Sequence, residues 1–271
     1  MALPPRLIYW LSIRLWPLGK VMNRLAKVPW VGPRLQALLF RPEDSQAIII
    51  PVNEVLQAGQ SVVLPYSLLP GLIERASHTT ILDHCMCWQG EGCVTYPVDL
   101  GCLFLGDGAA KIHPTLGNPT DAAGALAHVD RAMQAGLTLT VLHASLDAFM
   151  LQIPYRRMLA ICFCCDCCCT IRQGMRIGPP IVWDSVRRLP GLTLRVGEGC
   201  VGCGHCTEVC PVGAITLTYG RAVIGEVCKG CGRCAEACPE GAISLPISDK
   251  IDAKADFGAL IEARTEIRAG S

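Results

Sequence analysis

The residues most able to do chemistry in this chain are thiols. Eighteen of its 271 residues are cysteine, and they fall into three groups, 85–102, 162–169 and 200–238. The last group is a repeat: Cys200-Val-Gly-Cys203-Gly-His-Cys206-Thr-Glu-Val-Cys210-Pro recurs 28 residues later as Cys228-Lys-Gly-Cys231-Gly-Arg-Cys234-Ala-Glu-Ala-Cys238-Pro. Each run places three cysteines on a tight loop, adds a fourth four residues on, and ends at a proline that redirects the chain (Pro211, Pro239). Soft thiolates in fours suit a cubane of four irons, each of which takes one sulfur. Gly202, Gly204, Gly230 and Gly232 let the backbone approach closely and offer N–H groups to sulfur. A zinc ribbon explains paired C-x2-C ligands, but neither the third cysteine of each triplet nor the C-x3-C-P ending.

This doubled C-x2-C-x2-C-x3-C-P pattern, over about residues 192–246, resembles the bacterial two-cluster ferredoxins. The resemblance implies two 4Fe–4S clusters and one-electron transfer, with the fourth cysteine of each run ligating the other cluster. Cluster one is then held by Cys200, Cys203, Cys206 and Cys238, and cluster two by Cys228, Cys231, Cys234 and Cys210. His205, between two ligands of cluster one, is a candidate for tuning potential or simply a solvent-facing side chain.

The upstream groups follow a different pattern. Cys85, Cys87, Cys93 and Cys102 supply four thiols, and Cys162, Cys164, Cys165, Cys167, Cys168 and Cys169 supply six within eight residues. Adjacent side chains on a regular element point apart, so Cys164 and Cys165 cannot face one small metal site. Three readings follow from ten thiols where two cubanes need eight: one or two additional iron–sulfur clusters, one larger or irregular cluster, or zinc or buried reduced thiols. The layout of 79–210 also resembles a group of prokaryotic ferredoxin-like proteins with a C-x-C…C-x-x-Tyr-Pro segment and a CC-x-CCC run ahead of a two-cluster ferredoxin domain. Trp88 stands where that group carries arginine. His84, His113 and His143 are further candidate ligands or proton relays, each also readable as an ordinary structural histidine. Arg156, Arg157, Arg172 and Arg176 flank the CC-x-CCC run and would offset thiolate charge, or form a solvated basic face.

Elements must bring these groups together. Ala47–Val52, Ser61–Leu64, Thr79–Leu82, Leu137–Leu142 and Met158–Phe163 read as strands, and Pro70–Ser77 as a helical turn. Asp121–Ala135 reads as a helix with Gly136 as its stop. Strands at 79–82 and 158–163 both end where thiols begin, as at site-bearing strand ends of α/β folds. Leu192–Val196 opens the last domain. The predicted organisation is a basic amphipathic helical arm (1–42), an α/β or α+β cysteine-rich domain (43–190), a ferredoxin fold (191–247) and a tail (248–271).

A net charge of +1 and hydrophobic residues at 51% exclude both a disordered chain and a whole-chain nucleic-acid binder. Charge asymmetry is confined to residues 1–42, with seven basic and no acidic side chains. There Leu3, Leu7, Trp10, Leu11, Leu15 and Leu18 recur at helical spacing, with breaks expected at Pro17, Pro29 and Pro33. Such an arm suits a membrane surface or a protein partner. The Gly101–Gly108 stretch has neither P-loop nor G-x-G-x-x-G frame, so no nucleotide is expected. Clustered thiols without a secretion signal place the chain in the cytoplasm, with the arm able to hold it at the cytoplasmic membrane face. The expected function is single-electron relay to a redox enzyme or complex. The alternatives are a small reductase with a catalytic cluster in 85–169, and clusters that act as folding staples.

Overall fold

The structure, a computed structural model, describes residues 4–30, 32, 34, 45–50, 68–178, 186–247, 258–259, 261 and 265–267. Its first element is α1 (Pro5–Leu25), followed by β1 (Ser45–Ile50), α2 (Leu68–Glu74), β2 (Thr79–Leu82) and α3 (Met86–Glu91). The chain continues through β3 (Leu103–Leu105), β4 (Gly117–Thr120), α4 (Ala122–Gln134), β5 (Thr138–Ala144), α5 (Ser145–Leu151), β6 (Leu159–Cys164), α6 (Thr170–Ile177) and β7 (Val186–Arg188). The last part holds β8 (Arg195–Val196), α7 (His205–Val209), β9 (Ile215–Thr218), β10 (Arg221–Ile224), α8 (Arg233–Glu236) and β11 (Ile243–Ser244).

One seven-stranded sheet in the order β4-β2-β3-β6-β5-β1-β7 organises the larger unit, and only β1 and β7 run parallel. Antiparallel pairing decides where the thiols lie. Strand β3 lies between β2 and β6, antiparallel to both, with Leu103 opposite Ile81 and Ile161. The ends of β2 and β6 and the start of β3 therefore meet at one edge. Cys85 and Cys87 follow β2, Cys102 precedes β3, and Cys162 and Cys164 end β6. Every residue of β6 is buried, so its alternating side chains serve two packed faces.

Helix α4 covers the face opposite the thiols with Ala125, Val129 and Ala132. Asp121 caps it, accepting the Gly124 N–H at 2.8 Å, and Gly136 at φ 75° ends it. The expected helical turn at 70–77 is α2, and the expected strand at 61–64 lies outside the described residues. The described part of the C-terminal segment packs back on this unit: Ile261 and Ile267 are buried in its core, and Thr265 Oγ1 donates to the carbonyls of Arg156 and Met158.

The arm departs from expectation. Helix α1 runs unbroken through Pro17, although an internal proline typically costs a helix about 3 kcal/mol. Tyr9, Ile13 and Trp16 on one face pack against the buried core and anchor the half before Pro17. Trp16 fits over Gly90, where an added Cβ would lie 2.2 Å from its ring. Tyr9 donates to Gln89 Oε1 at 2.8 Å, and Lys20 pairs with Glu91. Among the described residues no helix is long and apolar enough to cross a membrane.

Candidate metal centres

The duplicated runs adopt duplicated backbone geometry. Gly202 and Gly230 have φ of 68° and 70°, Gly204 and Gly232 have 86° and 83°, and the latter two open α7 and α8. A side chain at Gly202 is excluded twice over, by this left-handed backbone and by the carbonyl of Gly220, 2.2 Å from a built Cβ. Within this frame Cys200, Cys203, Cys206 and Cys238 line one recess, so the chain brings a thiol of the second run to the triplet of the first. Cys210 reciprocally lies with Cys228, Cys231 and Cys234; its charge, with those of Cys231 and Cys228, bears on Cys234.

The donor chemistry of both sets fits thiolate clusters. Backbone N–H groups point at sulfur at matched places: Ala214 to Cys210 at 3.2 Å and Ala242 to Cys238 at 3.3 Å, with Ala222 to Cys200 and Gly230 to Cys228 at 3.4 Å. Such donors stabilise anionic sulfur, and the Ala222 and Gly202 amides lower the Cys200 thiol. Burial, then the neighbouring charges of Cys231 and Cys228, push Cys234 up to about 12. Thiols crowded this way ionise together only when cations neutralise them. Residues 199–242 match the family model of the 4Fe-4S dicluster domain. This part of the chain is a ferredoxin-like iron–sulfur domain. No curated protein matches the chain.

Upstream, the ten thiols divide into two sets, each drawing on both sequence groups. Cys93, Cys165, Cys167 and Cys168 gather their sulfurs within 4.8 Å of one another. Cys165 receives the indole N–H of the fully buried Trp88 at 3.1 Å and the Cys168 N–H at 3.2 Å. The remaining six, Cys85, Cys87, Cys102, Cys162, Cys164 and Cys169, line a separate chamber. Cys164 and Cys165 thus face different sites, as adjacent side chains at the end of a strand must. Trp88 forms a wall between the sets, lining the chamber while donating to Cys165.

The quartet abuts the ferredoxin-like domain. Asp166, between two of its cysteines, pairs with Arg233 Nε at 2.6 Å, and Arg233 lies between Cys231 and Cys234 in sequence. Arg172, 1% exposed, also pairs with Asp166. Burial works against its charge, but Cys231, Asp166, Cys164 and Cys169 more than restore it. It is thus a buried cation close to Cys231 of the ferredoxin-like domain and to Cys164 and Cys169 of the chamber, and paired with Asp166 between two cysteines of the quartet. Its Nη1 has no hydrogen-bond partner among the described residues. Arg176 reaches the Asp166 carbonyl at 3.3 Å. Arg157, in contrast, lies before the start of β6, at the end remote from the thiols, paired with Asp107 and Glu266, and the neighbouring Arg156 binds the C-terminal segment through its carbonyl.

The histidines stand apart from these sets, with one exception. His143 stacks on Tyr155 at 3.9 Å, His113 bonds the Thr115 hydroxyl, and His84 is exposed. His205 lies with Nδ1 3.8 Å from Cys203 Sγ. Sequence reasoning did not single out Asp147, which lines the chamber, or Asp166, which links the domains. A lone acid inside the apolar run Ala144–Leu151 was the available signal for the first.

Proposed function

We propose that this chain is an iron–sulfur electron-transfer protein. Two 4Fe–4S clusters would be held by Cys200, Cys203, Cys206, Cys238 and by Cys228, Cys231, Cys234, Cys210, with a third held by Cys93, Cys165, Cys167 and Cys168. Such clusters, when bound, take up and release single electrons. The observation that carries the reading is the crossed convergence of the two duplicated thiol runs, inside a segment matched by the dicluster family model. The protein's own groups support it. Asp166, Arg172 and Arg233 link the second run to the upstream quartet, and burial of Cys206 and Cys234 excludes water. The first run presents the exposed Cys203, Val201 and nearby Tyr219 outward. A redox enzyme docks there in this reading.

Anaerobically purified chain should carry at least about twelve irons with matching sulfide, four per thiol quartet, and show reduced-cluster paramagnetic signals. Iron-free protein after reconstitution, or zinc in place of iron, would overturn the reading.

The outer face of α1 gives the arm its role in this reading. Leu7, Leu11, Leu18, Val21 and Leu25 form an exposed apolar stripe, with Arg14 on it and Arg6 and Arg24 alongside. Its chemistry fits an anionic membrane surface, where each basic residue adds roughly 1 kcal/mol. The chain should float with vesicles containing anionic lipid, less with neutral vesicles, and Leu11→Asp with Leu18→Asp should abolish flotation. Wild-type protein left at the bottom of the gradient would reject a membrane role for the arm.

A further inference from the structure

We propose that the six-thiol chamber is a metal site of its own, built for a polynuclear iron–sulfur centre larger than a cubane, with Asp147 supplying an oxygen donor. The inference rests on the iron–sulfur reading above but concerns thiols that reading leaves unused.

Cavity size and ligand number both point this way. The chamber encloses about 210 Å³, more than the roughly 150 Å³ apolar cavity that stays dry and admits benzene. Cys162 meets Cys102 at 3.3 Å, and all six thiols line the one chamber. A cubane takes four thiolates, and six sulfurs on one cavity wall exceed it.

Asp147 is the second, independent observation. It is 8% exposed, lines the same chamber, and its Oδ2 has no hydrogen-bond partner among the described residues. A buried carboxyl oxygen left bare costs free energy unless something binds it. Apart from Thr170, whose buried Oγ1 also has no hydrogen-bond partner among the described residues, the remaining lining is apolar, with Trp16 of α1 and Trp88 among it. Arg172 stands close to Cys164 and Cys169 and would offset the charge of a thiolate-rich centre.

The test compares anaerobic full-length wild type with Cys102→Ser/Cys162→Ser, Asp147→Asn and Cys167→Ser by iron and sulfide content and Mössbauer spectroscopy. Wild type should exceed the roughly twelve irons of three cubanes and show a component unlike theirs. The double variant should lose that excess and that component together. Asp147→Asn should keep the iron while shifting only that component, and Cys167→Ser should lose about four irons and leave it unmoved. Wild type at twelve irons or fewer without the extra component overturns the proposal, as does an excess made of zinc. If the double variant fails to fold, an Asp147→Asn spectrum identical to wild type also overturns it. Fewer than the eight ferredoxin irons with the chamber component present would sink the function proposed above and spare this site.

Discussion

Replacing Cys234 by alanine should remove about half of the iron of the ferredoxin-like domain and destabilise it more than Cys203→Ala does. The two positions are formal equivalents only in ligand count. Cys203 is exposed, whereas Cys234 is 6% exposed and packs with Cys206, Ile215, Ala222, Ala235 and Ile243 in the core of this small domain. Metal binding by small thiolate domains contributes on the order of 10 kcal/mol to folding, far above the roughly 1 kcal/mol of burying one small side chain. The loss at Cys234 combines both. It also releases Cys210, which belongs to the first run, and so loosens the tie between the two halves. Iron analysis with thermal unfolding of wild type and both variants checks this. A Cys234→Ala protein with full iron and an unchanged unfolding temperature would remove the ligand assignment.

The ferredoxin-like domain was legible because its constraints are local. Spacing within twelve residues, glycines at fixed offsets and a proline stop specify the loop, and repetition specifies the partner of each loop. The strands β2 and β6 were legible for the same reason, being short apolar runs that end at cysteines. The division of the ten upstream thiols was not. Cys93 joins Cys165, Cys167 and Cys168 across more than seventy residues, and that pairing depends on β3 lying between β2 and β6, an order no local pattern encodes. Parity along β6 did anticipate that Cys164 and Cys165 would part, because alternation is local too. Pro17 misled for the converse reason. A proline's local penalty is readable from sequence, but the contacts that anchor the helix on both sides of it, Tyr9, Ile13 and Trp16 on the core and Lys20 with Glu91, are tertiary. Asp147 and Asp166 carried no motif, and only three-dimensional surroundings set them apart from other acids.

Arg172→Met should lower the reduction potential of the centres beside it by on the order of 100 mV while leaving most of the iron bound. This cation is almost fully enclosed, so solvent screens it little. At an effective dielectric constant near 20, a unit charge roughly 7 Å from another contributes about 2.4 kcal/mol. For a one-electron couple, about 1.4 kcal/mol corresponds to 59 mV, which gives the stated shift. The sign follows from charge: reduction adds an electron, a nearby cation favours the more negative state, and its removal makes reduction harder. Stability should fall as well, because breaking a buried pair costs about 3–5 kcal/mol when the partner is left alone. Here Asp166 keeps Arg233 and is itself partly exposed, which holds the loss toward or below the lower figure. Arg172→Lys separates the two effects. It restores the positive charge and should recover most of the potential, but a point charge cannot reproduce the fork that pairs with Asp166. Spectroelectrochemical titration of the three proteins, with unfolding measured alongside, reads both quantities. Identical potentials in wild type and Arg172→Met would mean that this guanidinium positions Asp166 without acting on the centres electrostatically.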